Sequence, residues 1–222
     1  MAAYFHPGYA DKSAAWRFVL DIPSEATVLL SPRGWSEVYG QREIMQAFAT
    51  AYHKLGRPMV LVFLGVGRIK RPEILAREVL DLGARLGVGH AVRWIPEVPY
   101  LDMPGLYNLA DIVLNYPSTD AFPSTLLEAA ACARPVITSD LPAYRNTFIE
   151  RCYTRVALEN PAALAEAIVH LVSAGPDAWA PAAQQARDIV LAEHGEATQK
   201  ARLIALYREI AGDTTIASRY GK

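Results

Sequence analysis

The sequence predicts a doubly wound α/β domain, with a parallel sheet of about six strands and helices on both faces. Two observations carry that reading. Short β-branched apolar runs alternate with helix-length amphipathic segments, the order that builds strand-helix-strand units with right-handed crossovers. Most of the runs are continuous rather than alternating in hydrophobicity, as expected of strands covered on both faces.

The elements follow in order. Residues 1–25 contain YFHPG and a short predicted helix over 12–20, and read as a linker with a lead-in helix. The strands are ATVLLS at 26–31, MVLVFLG at 59–65, AVRWIP at 91–96, DIVLNYP at 111–117 and PVITSD at 135–140, with YTRVAL at 153–158 adding a sixth. After the first strand, Ile44, Phe48, Tyr52 and Leu55 recur on one helical face. Gly56 and then Pro58 end that helix. Ile74, Leu75, Val79, Leu82 and Leu86 predict a second helix that stops at Gly87. A short third covers 103–109, and the fourth starts near Ser124. Asn160 as cap and Pro161 in the first turn open a closing run of helices. The last of these spans 198–210, with Leu203, Leu206 and Tyr207 predicted inward. The domain proper is therefore expected over 26–211, with a polar tail over 212–222.

Composition excludes several classes. The formal net charge is −1, from 22 basic and 23 acidic residues, whereas a phosphate-backbone binder needs a basic surplus. The cluster Arg68, Lys70 and Arg71 beside Pro72 reads as a solvated helix start, so no nucleic-acid partner is expected. Two cysteines, Cys132 and Cys152, form neither a disulfide framework nor a zinc pattern. No apolar run approaches the roughly 20 residues of a membrane span, and MAAYFHPGY lacks the plan of a signal peptide. A cytoplasmic setting is expected. No GxxxxGK(S/T) loop or GxSxG elbow is present. The histidines His6, His53, His90, His170 and His194 have no metal-ligand spacing.

In an open parallel sheet, ligands bind outside the carboxyl ends of the strands. The loop after the fourth strand is YPSTDAFPS, and Ser124 is the expected N-cap of the helix TLLEAAACA. The free N–H groups of such a helix start suit an anion, phosphate in particular. Glu128 sits one turn further in, on an otherwise apolar helix. A buried carboxylate needs donors, and these come either from a ribose diol or from a protein partner. Asp120 alone reads as a turn residue. Arg33, in SPRGWSEVYGQ after the first strand, reads alone as a surface arginine, although its fork suits a diphosphate. GVG at 65–67 reads as a tight turn.

Taken together, these residues form a recognisable pattern. LDMPGLYNLADIVLNYPSTDAFPSTLLEAAACARPVITSD resembles the donor-binding domain of GT-B glycosyltransferases, in the retaining family called group 1 or family 4. That family carries an acid, seven residues and a glutamate, usually within EGFGLPLLEAMACGTPVV. Asp120, Phe122 and Glu128 match it, as does the LLEA core. VLLSPRGWSEVYGQREIMQAF is similar to the strand-loop-helix that holds an Arg and a Lys for the diphosphate. Arg33 matches the first of these, and Tyr39 stands at the place of the second. Other departures are Asp120 for Glu, Pro123 for Gly, and Ala133-Arg134 for Gly-Thr.

The resemblance implies a Rossmann-like half of a GT-B fold that binds a nucleoside-diphosphate sugar. Glu128 would hold the ribose and Asp120 the sugar hydroxyls. Arg33, Ser124 and Thr125 would stabilise the diphosphate, with Tyr39, Phe122 and Leu126 alongside and Ile95 and Pro96 near the base. It implies transfer with retention and no cofactor or metal. The acceptor-binding N-terminal half would lie outside this chain, as an excised domain or a separate subunit. This half alone would then be inactive, and any peripheral membrane association would run through the other. Two other readings are a non-catalytic binding or interaction module and a GT-B-like sugar-nucleotide epimerase.

Overall fold

The computed structural model describes residues 4–65 and 72–211. The basic cluster at 68–71, the second half of the GVG turn and the polar tail lie outside them. All six predicted strands form: β1 (Thr27–Ser31), β2 (Met59–Leu64), β3 (Val92–Ile95), β4 (Ile112–Asn115), β5 (Val136–Ser139) and β6 (Thr154–Val156). They pair in parallel throughout, in the order β3-β2-β1-β4-β5-β6.

The helices are α1 (Ala10–Val19), α2 (Gln41–Leu55), α3 (Pro72–Arg85), α4 (Met103–Leu109), α5 (Ser124–Ala131), α6 (Phe148–Cys152), α7 (Pro161–Ala174), α8 (Pro176–His194) and α9 (Glu196–Ala211). Successive strand residues point to opposite faces, so each strand feeds two cores. Val28, Leu30, Val62 and Val113 pack with α4, α5, α6 and α8. Leu29, Leu61, Phe63 and Leu114 pack with α2, α3 and α7. Continuous hydrophobicity in the strands follows directly from this double burial.

Local signals account for most boundaries. Gly56 ends α2 in the left-handed region, its N–H donating to the Tyr52 carbonyl. The Asn160 side chain accepts from Ala163 N and caps α7. The lead-in segment docks on the domain: Phe5 is fully buried, with its ring edge-on to Tyr107. Helix α1 lies against α4 at Gly105, where a Cβ would come within 2.9 Å of Lys12 Cβ.

Two expectations are corrected. Ile74 is exposed. Leu75, Val79, Leu82 and Leu86 are spaced by three or four and share one face, whereas Ile74 is a single step of about 100° from Leu75. In α9, Leu203, Leu206 and Tyr207 are also exposed. That helix leaves α8 at Gly195 and packs back chiefly on it, and the apolar stripe stays exposed among the described residues.

The centre of the sheet is the β1–β4 pair, joined over Leu29↔Ile112 and Leu30↔Val113. Asp111 extends it: its N–H donates to Val28 O, and its carboxylate accepts from Val28 N at 2.8 Å. Removing the side chain leaves the Val28 N–H without that partner. Asp111→Ala is expected to cost about 2 kcal/mol, measured as a lower midpoint in urea with unchanged slope.

Candidate functional site

Strand order reverses between β1 and β4, so the loops leaving these strands diverge and open a crevice. The β1 loop is pinned by its own residues. Trp35 is buried, 5.1 Å from the Phe63 ring and edge-on to Trp94. Gln41 Nε2 donates to Gly34 O at 2.7 Å. Ser36 caps a 3-10 turn over Glu37–Tyr39. Gly40 then takes φ +68°, where a side chain would collide with the Tyr116 carbonyl. Ser118 N donates to Val38 O at 2.7 Å, which ties the β1 loop to the β4 loop.

This framework brings Arg33 and Asp120 together. Arg33 Nη1 lies 2.8 Å from Asp120 Oδ2, with side-chain exposures of only 12% and 14%. On its other side the guanidinium carbon stands 3.9 Å from the centre of the Tyr39 ring, a cation–π arrangement. Tyr39 therefore does not simply lack the charge of a lysine: it is the platform that orients Arg33. Asp120 keeps its turn role as well, since Oδ1 accepts from Ala121 N at 2.9 Å.

Helix α5 starts differently from the expectation. Pro123 is the N-cap, at φ −73° and ψ 137°, with no side-chain cap bond. The proline ring holds an extended conformation that stops the helix from starting earlier, and Ser124 is already its first turn. Glu128 is 5% exposed and accepts from the Tyr107 hydroxyl at 2.8 Å. Burial raises its pKa, partly offset by hydrogen bonds from Tyr107 and Ser124. The protein partner of Glu128 is thus a tyrosine. Helical spacing in MPGLYNL marks Tyr107 as core and gives no sign of that hydroxyl contact.

The other candidates are dispersed. Thr125 Oγ1 is buried without a partner. Leu126 is fully buried, its N–H donating to Pro123 O and its carbonyl accepting from Tyr153, so its side chain serves the core. Phe122 is partly exposed and stacks on His194 at 5.4 Å, a contact from the end of α8 that sequence spacing does not reveal. Ile95 ends β3, two strands from β1, and its carbonyl accepts from Gly65 N at 2.6 Å. Pro96 beside it is exposed.

Cavity size does not select this site. A cavity of about 380 Å³ lies at the amino ends of the strands, among Arg17, Arg57, Asp111 and Trp179. Its two guanidiniums are committed to backbone carbonyls: Arg17 to Pro23 and Arg57 to Val172. At the carboxyl ends, a recess of about 50 Å³ lies among Glu37, Gly40, Glu43, Tyr116, Ser118 and Glu159, and neither Arg33 nor Asp120 lines it. Charge and topology, not volume, make the carboxyl ends the candidate site. Among the described residues no group of three or more His, Cys, Asp or Glu could hold a metal ion, and no helix is long and apolar enough to cross a membrane.

A reversed strand order, a partly buried arginine at the crevice and a helix start beside it mark an open α/β ligand-binding domain. The chain belongs to the family described as glycosyl transferases group 1, whose model matches residues 12–187. A D-inositol 3-phosphate glycosyltransferase of Corynebacterium urealyticum is 26% identical over 211 residues, covering 93% of this chain and 48% of the relative. A glycosyltransferase structure from Rickettsia africae has a TM-score of 0.84 at 22% identity, covering 96% of this chain and 56% of that one. The Anabaena protein HepE, solved in complex with UDP and glucose, has a TM-score of 0.82 at 16% identity, covering 94% and 55%. This chain spans about half the length of these three proteins, and its fold is that of one half of a GT-B enzyme.

The raised pKa of Glu128 has a stability consequence. The folded state holds the proton more tightly than the unfolded state, so the carboxylate costs stability once pH rises above the ordinary value of 4.5. That cost grows until the raised value is passed and then stays. Glu128→Gln, which still accepts from Tyr107, is expected to stabilise the protein at pH 7. The gain should fade as pH falls to about 4, in urea unfolding at both pH values.

Proposed function

We propose that this chain is the donor-binding half of a glycosyltransferase and takes a nucleoside-diphosphate sugar at the carboxyl ends of β1 and β4. The observation that carries the reading is Arg33, held between the Tyr39 ring and Asp120 at the switch point. A guanidinium fixed there, with the N-terminus of α5 nearby, is positive charge aimed at a phosphate before the ligand arrives. Family membership and the UDP and glucose bound by HepE support the same ligand class.

In this reading Glu128 accepts from the ribose hydroxyls and Asp120 from the hydroxyls of the sugar. Arg33 and the backbone N–H groups at Ser124 and Thr125 stabilise the departing diphosphate, without a metal. Tyr39 holds Arg33, Phe122 flanks the sugar, and Ile95 and Pro96 border the base. Transfer proceeds with retention. The bond from the anomeric carbon to the phosphate oxygen breaks, the acceptor oxygen bonds on the same face, and its proton passes to the departing phosphate. The acceptor is bound by a partner half or subunit. Asp120's hold on Arg33 favours a second reading, a module that binds nucleotide sugar weakly and does not turn over, because the cation is already neutralised.

Calorimetric titration with UDP-, GDP-, ADP- and dTDP-sugars tests the proposal, and no binding to any of them by folded protein overturns it. Transfer on adding a partner half overturns the inert-module reading. Glu128→Ala is expected to weaken nucleotide binding by about tenfold or more, the size of one charge-assisted hydrogen bond. Asp120→Ala should lose the preference for UDP-sugar over UDP, with UDP affinity kept or raised because Arg33 is released. Equal losses for both ligands would contradict the separate roles.

A further inference from the structure

Three rings from three elements meet beside the crevice. Phe122 comes from the loop between β4 and α5, Phe148 opens α6, and His194 ends α8. Phe122 stacks on His194, with ring centres 5.4 Å apart and planes 25° from parallel. Both rings stand edge-on to Phe148, at 6.0 and 6.3 Å. Phe148 is buried, whereas Phe122 keeps 37% of its surface exposed.

The two sides of the stack are held very differently. Side chains of α9 bind the last carbonyls of α8: Thr198 Oγ1 donates to Ala192 O at 2.9 Å, and Gln199 Nε2 and Arg202 Nη1 donate to Glu193 O at 2.6 and 3.1 Å. His194 therefore stands on a fixed base. The loop has little support of its own. Among the described residues, no backbone-to-backbone hydrogen bond involves residues 119–122. The Ala121 N–H goes to the neighbouring Asp120 side chain, and Pro117 and Pro123 bring no N–H at either end. Beyond Ser118, two side-chain contacts tie this loop to the rest of the domain. One is Asp120 with Arg33, and the other is Phe122 with His194 and Phe148.

We propose that His194 is a positioning residue for the sugar end of the site, its ring holding, through Phe122, the loop that presents Asp120. This role rests on the reading of Asp120 as the group that accepts from the sugar hydroxyls. In that reading Arg33 turns to the diphosphate, so the loop loses one of its two tethers as the ligand binds. The stack remains, and Asp120 stays where the sugar can meet it. A loop with neither tether would have to be ordered by the ligand itself, at a cost in affinity. That cost falls on the sugar and spares the nucleotide, because the stack holds Asp120 and not Arg33.

Two arms test the role, each with His194→Ala and with His194→Phe, which keeps a ring in place of the imidazole. Without ligand, the amide order parameters of residues 119–122 are expected to fall from about 0.85 to below about 0.6 in His194→Ala. Those of β4 should not change, and His194→Phe should restore the loop. Unchanged order in the loop overturns the proposal. So does an equal fall along β4, which would make His194 a general stabilising residue. With ligand, calorimetry compares UDP-glucose with UDP. Where wild type binds both, His194→Ala should weaken UDP-glucose by about three- to tenfold, the size of one aromatic pair, and leave UDP unchanged. A loss shared equally by both ligands, no loss at all, or failure of His194→Phe to restore either readout overturns the proposal. No binding of either ligand by wild type removes the donor reading, and the order of the loop alone then decides whether His194 positions it.

Discussion

The pairing of β1 with β4 is the constraint on which the site depends. These strands are distant in sequence and share a short register of two residue pairs. That register is extended at the amino end by the reciprocal bonds between Asp111 and Val28. At the carboxyl end it puts the loop of Arg33 against the loop of Asp120. A register slip of one residue would turn the side chains of β4 to the opposite face. It would also move its exit loop by about 3.3 Å, more than the tolerance of a 2.8 Å ion pair. The amino-end carboxylate of Asp111 therefore contributes to the geometry of the Arg33–Asp120 pair at the far end of the sheet without approaching it.

The same end of the sheet carries the unfavourable part of the structure. Glu128 is buried against its own charge, and nearly all the unpaired buried polar atoms gather there. Other buried polar groups are matched, at this end as well: Ser139 Oγ donates to Pro117 O, and Tyr153 Oη donates to Leu126 O. Core packing on both sheet faces is what allows this end to be suboptimal. A domain selected for stability alone would fill these positions with apolar residues or supply partners. The asymmetry between the two ends distinguishes the crevice more clearly than cavity volume, which is larger at the amino ends.

The fold was legible in the sequence because burial on both faces writes itself into continuous apolar strands, and helices into a 3.6-residue period. All six strands formed where those runs lay. The period failed where no surface exists to receive it: the stripe of Leu203, Leu206 and Tyr207 is correctly amphipathic, yet nothing among the described residues covers it. At the site, the sequence marked Arg33, Asp120 and Glu128 through spacing and loop position. It did not show their partners. Tyr107 reads as an ordinary core residue, because a hydroxyl meeting a residue on another element leaves no periodic trace. The helix start also escaped: a serine next to a proline satisfies the composition of an N-cap, but the backbone of Pro123 occupies that place.

Tyr39 changes how the positive charge of this site is supplied. Two fixed cations would hold a diphosphate by direct attraction, and the second would add its charge whether or not the first moved. Among the described residues a single guanidinium is shared between a ring, worth about 0.5–2 kcal/mol, and the Asp120 carboxylate, which in the proposed reading must give it up. In the proposed reading, ligand affinity is set by the difference between two states of Arg33 rather than by the attraction in one. Such a site would discriminate against weak anions, which cannot displace Asp120. It favours a ligand that satisfies both members of the broken pair, with a phosphate for Arg33 and hydroxyls for Asp120. A nucleoside-diphosphate sugar offers both groups in one molecule, whereas free nucleotide offers only the first.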